Sequence, residues 1–344
     1  MKAHAVIPAE AGVAALAGRV LCQNARDPGG KLLVPKGTLL DASSATRLIE
    51  GGSGEVHLLE MEAGELHEEV AGGRLARAAA GPGLAVRPSA GGQWALTAES
   101  RGLLRVDAAR LEALNGIDGV GVFTLYDGQV VDAGEVVGRA KVTPLVVSET
   151  VVLEAERRCA GGVLSLRSFQ PQPVGAVAPA DLDEAARGRF RDALAEKLAW
   201  FGTPLARLEF CWEDPETVSD AVTTCLESGA RVLVVAGANV LDPLDPFFIA
   251  LERLGARVLR RGAPADPGSL LWLARLGDTP VIGVTSCGMF SQGTLFDLVL
   301  PRILAGETLD APALAGYGHG GLLTRQMRFR FPPYRKGADR GSVE

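Results

Sequence analysis

Histidine and cysteine are scarce in this chain of 344 residues, at four and five copies. The cysteines, Cys22, Cys159, Cys211, Cys225 and Cys287, are odd in number and widely spread, with no Cys-x-x-Cys pair. That spacing fits reduced thiols better than a disulfide or zinc framework. No uninterrupted apolar run reaches the ~18 residues of a membrane-spanning helix, and the first residues lack the long apolar core of a signal peptide, so a cytoplasmic location is expected. An excess of positive charge is also missing. Lys and Arg number 35 against 41 Asp and Glu, a formal charge of −6. No global field therefore favours nucleic acid, and an anionic ligand has to be held locally. What the chain does have is a hydrophobic fraction of 47% and a charged fraction of 22%, which specify packed cores. Its length exceeds the ~250 residues beyond which single cores stop growing, so more than one domain is expected.

Along the chain four regions are expected. Residues 1–77 form a small β-rich module, with a strand at Val20 to Cys22, a turn at Pro28-Gly29-Gly30 and a strand at Glu55 to Leu59. Between these, Ser43 or Ser44 is placed to cap a helix whose apolar face is Leu48 and Ile49 and which Gly51-Gly52 stops. The acidic run from Glu60 to Glu69 has helical spacing. Residues 78–150 alternate strands and turns, with one helix near Ala108 to Asn115, and suggest a β-sandwich or half-barrel. Residues 151–310 repeat strand and helix: strands at Val174 to Val177, Leu205 to Cys211, Arg231 to Val235, Arg257 to Leu259 and Val281 to Val284, with helices at Glu184 to Phe201, Pro215 to Glu227, Phe247 to Leu254 and Thr294 to Leu304. Such alternation predicts an α/β fold with a parallel sheet covered on both faces, and ligands bound outside the carboxyl ends of its strands. Residues 311–344, rich in Gly and then in Arg, are expected to be an extended, flexible tail.

Three loops of the third region carry candidate chemistry. After Arg231 to Val235 come Ala236, Gly237, Ala238 and Asn239, side chains too small to keep an oxyanion from the backbone N–H groups. The alternative is a plain turn. Asp242 and Asp245 follow, each before proline, and two carboxylates at this spacing can hold Mg2+ against phosphate oxygens. Asp245 followed by Pro246 is equally a helix start, with the aspartate as cap. The second loop offers Asp266, Gly268 and Ser269, and again reads as a simple turn in the alternative. The third, Thr285 to Gly293, offers Ser286, Cys287, Gly288 and Ser291 before a helix, where amides and the helix dipole bind phosphate. Cys287 at such an entrance is a candidate thiolate, although no His or acid lies near it in sequence.

Taken in order, these loops resemble the molybdopterin-binding (MoaB/Mog) domain shared by molybdopterin adenylyltransferases and molybdenum insertases. The stretches 102–107 (Gly-Leu-Leu-Arg-Val-Asp), 114–118 (Leu-Asn-Gly-Ile-Asp), 133–144 (Ala-Gly-Glu-Val-Val-Gly-Arg-Ala-Lys-Val-Thr-Pro), 266–271 and 296–300 are similar to insertase-like bacterial molybdopterin-binding proteins, over most of residues 80–325. The resemblance implies a three-layer α/β domain preceded by β-rich modules, and molybdopterin or the molybdenum cofactor as ligand, with Mg2+, ATP and molybdate as further expectations. Gly237, Ala238 and Asn239 then stand where the family's glycine-rich loop grips the pterin phosphate, and Asp245 at its acidic position. This chain departs from the pattern, keeping one glycine in that loop and Thr285-Ser286-Cys287-Gly288 where the family has a Pro-Gly step. Three functions follow as expectations: adenylyl transfer or molybdate insertion with Asp242 and Asp245 as catalytic and metal residues; a non-catalytic cofactor chaperone or sensor; or an oligomerisation scaffold without ligand. A homo-oligomer is expected in each.

Overall fold

Two separate hydrophobic cores form within the first 167 residues. The computed structural model describes residues 1–285, 290 and 293–334, divided into two units: residues 1–127 with 131–167, and residues 128–130 with the chain from Ser168 onward. In the first unit, strands Lys2–Val6, Val56–Glu60 and Val20–Leu21 form an antiparallel sheet, and helix Ala42–Glu50 shares with it a core of Leu16, Leu21, Val34, Leu48 and Leu58. The helix is capped by Asp41, not by Ser43 or Ser44. Asp41 accepts the Ser44 amide at 2.7 Å, while the Ser44 hydroxyl accepts the Asp41 amide at 2.8 Å. Here a serine hydroxyl fills the N3 position of the capping box, where a glutamate or glutamine is usual, and Asp41 takes the cap.

The second core of this unit lies between helix Glu68–Ala79 and a four-stranded antiparallel sheet, in the order Val120–Thr124, Val136–Val142, Gln93–Ala98, Leu84–Pro88. The acidic run is therefore not one helix. Glu65–His67 is a short strand paired with Val146–Ser148, and the helix begins only at Glu68. Helix Glu149–Arg158 joins this core through Val152 and Ala155, and Arg74 ties it to helix Glu68–Ala79 by pairing with Glu149 at 2.6 Å and Glu156 at 2.7 Å. Those contacts carry the first unit to residue 167, beyond the expected boundary at 150.

The second unit contains a six-stranded sheet in the order Leu205–Cys211, Val174–Pro179, Val232–Ala236, Thr279–Val284, Trp272–Leu276, Arg257–Arg260. The first four strands are parallel. The expected all-parallel sheet needs one correction: Trp272–Leu276 runs antiparallel to both its neighbours. It forms a hairpin with Thr279–Val284 across Gly277-Asp278, where Gly277 takes φ +56°. Helices Pro215–Glu227 and Pro246–Arg253 bury Val218, Val222, Phe247 and Leu251 with Leu233, Val235 and Trp272. Val232, Val234 and Ala236 are buried as completely, so both faces of the central strand are covered, which is why its sequence is continuously apolar. In the segment expected to be an extended, flexible tail, the described residues 311–334 take up regular structure and bury apolar side chains. It forms helix Ala311–Ala315 and a 3₁₀ helix at Arg325–Arg330, and it buries Leu314, Leu323, Phe331 and Tyr334. Apolar residues spaced among the glycines and arginines supply that anchorage. Among the described residues no helix is long and apolar enough to cross a membrane.

Trp272 is fully buried and lies flat over its cross-strand partner Gly283. A Cβ at Gly283 would stand 1.8 Å from the indole Cε2. Gly283→Ala is expected to destabilise the protein by about 3 kcal/mol, the upper range for overpacking a core. A urea midpoint within error of wild type would contradict this packing.

Candidate functional site

The chain leaves strand Val174–Pro179, passes outward to the edge strand Leu205–Cys211, and returns on the other side as Val232–Ala236. The first and third of these strands thus part in opposite directions, creating a switch point at their carboxyl ends, where open α/β sheets bind ligands. Gly237 sits there. Its φ is +95°, and a Cβ would meet Pro179 Cγ at 2.4 Å, so only glycine lets the two strand ends close on each other. The Gly237 amide donates to Val284 O at 3.1 Å, which brings the end of the next strand, and Thr285, to the same place.

The loop after Gly237 is organised by Asp245. This buried side chain accepts the Asn239 amide at 2.8 Å and the Phe247 amide at 2.9 Å, capping helix Pro246–Arg253 and closing the loop at once. Within it Asn239 Oδ1 accepts the Leu241 amide at 3.2 Å, and Asp242 Oδ1 accepts the Leu244 amide at 2.9 Å. Asp242 itself is exposed. The amides of Gly237 and Asn239 are therefore engaged within the protein. The two aspartates do not fit a shared magnesium site: one is a buried cap with both oxygens occupied, the other an exposed turn residue. Among the described residues no group of three or more His, Cys, Asp or Glu is arranged to hold a metal ion.

The second predicted loop reaches the same edge, because the antiparallel strand Trp272–Leu276 begins where its neighbour ends. Asp266 and Ser269 are exposed on it. Leu295 donates to Pro267 O at 3.0 Å, and a Cβ at Gly268, which has φ +122°, would lie 2.6 Å from Leu295 Cβ. This joins residues 266–268 to the turn before helix Phe296–Leu304. Ser286, Cys287, Gly288 and Ser291 lie outside the described residues.

That turn is held by Asp297, which is fully buried. Its Oδ2 accepts the amides of Gly293 and Thr294, both at 2.9 Å, and its Oδ1 accepts from Lys197 Nζ at 2.6 Å and from the Tyr334 hydroxyl at 2.9 Å. Burial pushes the Tyr334 phenol well above its ordinary pKa, and the neighbouring Asp297 charge adds to the shift. Sequence reading passed over Asp297, because an acid in the first turn of a helix suggests only a dipole partner. It also passed over the loop after Pro179. There Arg187 donates Nε to Leu182 O at 2.9 Å and also bonds Ala180 O, fixing residues 180–182. Applying the strand-end rule to every strand, and not only to those followed by small residues, would have found that loop. Glu213, after the edge strand, is coupled to it. Desolvation first, then repulsion from Asp181 and Asp245, holds the Glu213 carboxyl above its ordinary range.

No protein-family model matches the chain, and no curated protein matches it. Among solved structures it is similar to a molybdopterin biosynthesis protein, MoeA, from Pyrococcus horikosii, at 16% identity over 74% of this chain and 75% of that one, with a TM-score of 0.30. A putative molybdenum cofactor biosynthesis protein from Corynebacterium diphtheriae is 16% identical over 41% of this chain and 99% of its own, with a TM-score of 0.28. MogA is 16% identical over 38% and 90%, with a TM-score of 0.27. At these scores the likeness carries no argument about chemistry.

Two outcomes are expected from these contacts. Asp245→Ala removes the acceptor of two amides, one of them buried, and should cost about 2–4 kcal/mol in denaturant unfolding, with faster hydrogen exchange at Asn239. An unchanged Asn239 amide would show that the loop closes without the carboxylate. Glu213 has a raised pKa in the fold, so the folded state binds more protons between the ordinary glutamate range and the raised value. Stability therefore falls as pH rises through that window, and Glu213→Gln should flatten the fall. Thermal unfolding of both proteins from about pH 4 to pH 7 reads this directly; parallel curves would remove the coupling to Asp181 and Asp245.

Proposed function

We propose that the second unit binds a molybdopterin-type pterin at the carboxyl edge of its sheet and serves molybdenum-cofactor assembly. One observation carries the reading: the residues that flank the loops resembling the molybdopterin-binding domain are bonded to one another at the carboxyl edge, Gly237 to Val284 and Leu295 to Pro267. Loops scattered over different edges would have argued against it. Molybdopterin supplies a pterin ring and a terminal phosphate. The exposed Asp266 carboxylate suits the N–H donors of an aminopyrimidinone ring, and the exposed Ser269 hydroxyl suits a phosphate oxygen. Small residues at 236–239 leave room beside them.

A second reading, that the protein binds the cofactor without transforming it, is favoured by Asp245. With both oxygens of that carboxylate accepting backbone amides, and Asp242 exposed in a turn of its own, adenylyl transfer through an Mg2+ ion on this pair lacks its ligands. We therefore place binding and custody of the cofactor ahead of catalysis.

Calorimetric titration with molybdopterin, and separately with ATP and Mg2+, tests both. Saturable heat with the pterin and no adenylylated product is the expected result. Adenylylated pterin appearing in the mixture would overturn the non-catalytic reading. The absence of any heat with pterin would discard the cofactor altogether.

A further inference from the structure

The carboxyl edge described above is acidic, which is the wrong sign for a phosphate-bearing ligand. Asp181 and Asp245 repel the Glu213 carboxylate there, Asp242 adds a fourth acid, the loop amides of Gly237 and Asn239 are already engaged, and Arg187 donates to the carbonyls of Leu182 and Ala180. A ligand with a terminal phosphate needs counter-charge from elsewhere.

The C-terminal segment reaches this edge by two anchors. At its start, the Asp266 amide donates to Gly321 O at 2.8 Å and the Leu323 amide to Asp266 O at 2.7 Å, a parallel bridge onto the second site loop. At its end, Tyr334 donates to Asp297, and the Phe331 ring lies 3.5 Å from where a Cβ at Gly293 would stand. Residues 324–330 therefore begin beside one site loop and end beside the other. They form a 3₁₀ helix that carries Arg325, Arg328 and Arg330. Arg330 is used internally, donating to Gly320 O at 2.7 Å, whereas Arg325 and Arg328 are exposed.

We propose that this segment is a wall of the binding site, with Arg325 and Arg328 as the cations that receive the phosphate of the ligand, and with Asp297, Lys197 and Tyr334 as positioning residues that latch the wall to the loops. The assignment rests on the pterin-phosphate reading for the natural ligand, but the wall itself selects any small phosphate-bearing anion. Arginine suits the task because its guanidinium binds phosphate in a bidentate manner and stays charged at every working pH. The latch suits its own task because Asp297 binds the turn at 293–294 through one oxygen and the C-terminal segment through the other.

The test uses the full-length protein, titrated with pyrophosphate and with molybdopterin, beside an Arg325→Ala/Arg328→Ala double variant. Each lost charge-assisted contact should weaken binding of both probes roughly tenfold, with the unfolding midpoint unchanged because both side chains are exposed. Equal affinity in the double variant overturns the wall while leaving the pterin reading in place. Pyrophosphate binding that depends on the arginines, with no molybdopterin binding, supports the wall and rejects the pterin. Binding of neither probe rejects both. Tyr334→Phe, which keeps the ring and removes the hydroxyl, separates positioning from packing: amide exchange at Gly293 and Thr294 should quicken and pyrophosphate affinity fall, with exchange at Asn239 unchanged. Unaltered exchange at Gly293 and Thr294 overturns the latch.

Discussion

A buried carboxylate, Asp297, sets the geometry of the end of the second unit where the candidate loops meet. Taking that charge out of water costs several kcal/mol unless every lone pair finds a donor. The donors come from three distant parts of the chain: Lys197 on the helix Glu184–Trp200, the amides of Gly293 and Thr294, and the hydroxyl of Tyr334. None of the three can shift without leaving a charge unpaired, so the helix, the turn and the C-terminal segment are fixed together. The Lys197 ammonium is further enclosed by the rings of Phe296 and Tyr334, at 5.3 and 5.5 Å, which shield the pair from water. A hydrophobic replacement of the same volume could match its stability, but would not select this one arrangement of the turn.

The switch point imposes a second constraint, of opposite character. The chain connections diverge after Pro179 and Gly237 while the strand ends stay in close contact, and Asp245, one of the acids at this edge, is consumed in capping a helix and closing a loop. The amides of Gly237 and Asn239, bonded within the protein, are not free to grip a phosphate. The compensation lies in the chain beyond the sheet, where arginines are carried to the rim by the same contacts that complete the Asp297 cluster. Anchorage and electrostatics are thus one problem, because the segment that brings the charge also supplies the Tyr334 hydroxyl. The thiols take no part among the described residues: burial raises Cys211 and Cys225 to about 11, leaving them protonated and inert at neutral pH.

Local patterns made much of the second unit legible. The helix Pro215–Glu227 and the strand Leu205–Cys211 occur as their periodicities specify, because an Asp-Pro start, a 3.6-residue apolar repeat and a short apolar strand interrupted only by Arg207 and Glu209 are all written within a few residues. The role of Asp245 as a cap was equally visible in Asp245-Pro246. The strand Trp272–Leu276 was missed although Gly277-Asp278 carries a two-residue hairpin signal, because the preceding apolar residues suit a helix or a strand alike and nothing local chooses the antiparallel partner. In the first unit, Glu60 to Glu69 has helical spacing, yet pairing of Glu65–His67 with Val146–Ser148, about eighty residues away in the chain, outweighs that local preference.

The sequence by itself determined the α/β class of the second unit and the small-residue turn at 236–239, since each depends only on residue type and short-range spacing. Tertiary structure alone decided that Gly237 is bonded to Val284 and Pro267 to Leu295, that residues 321–334 are anchored on Asp266 and Asp297, and that Asp297 is buried against Lys197. Those outcomes depend on which strands pair and which charges are buried together, and the free energy of a buried charge is fixed by partners that stand a hundred residues from it in the chain.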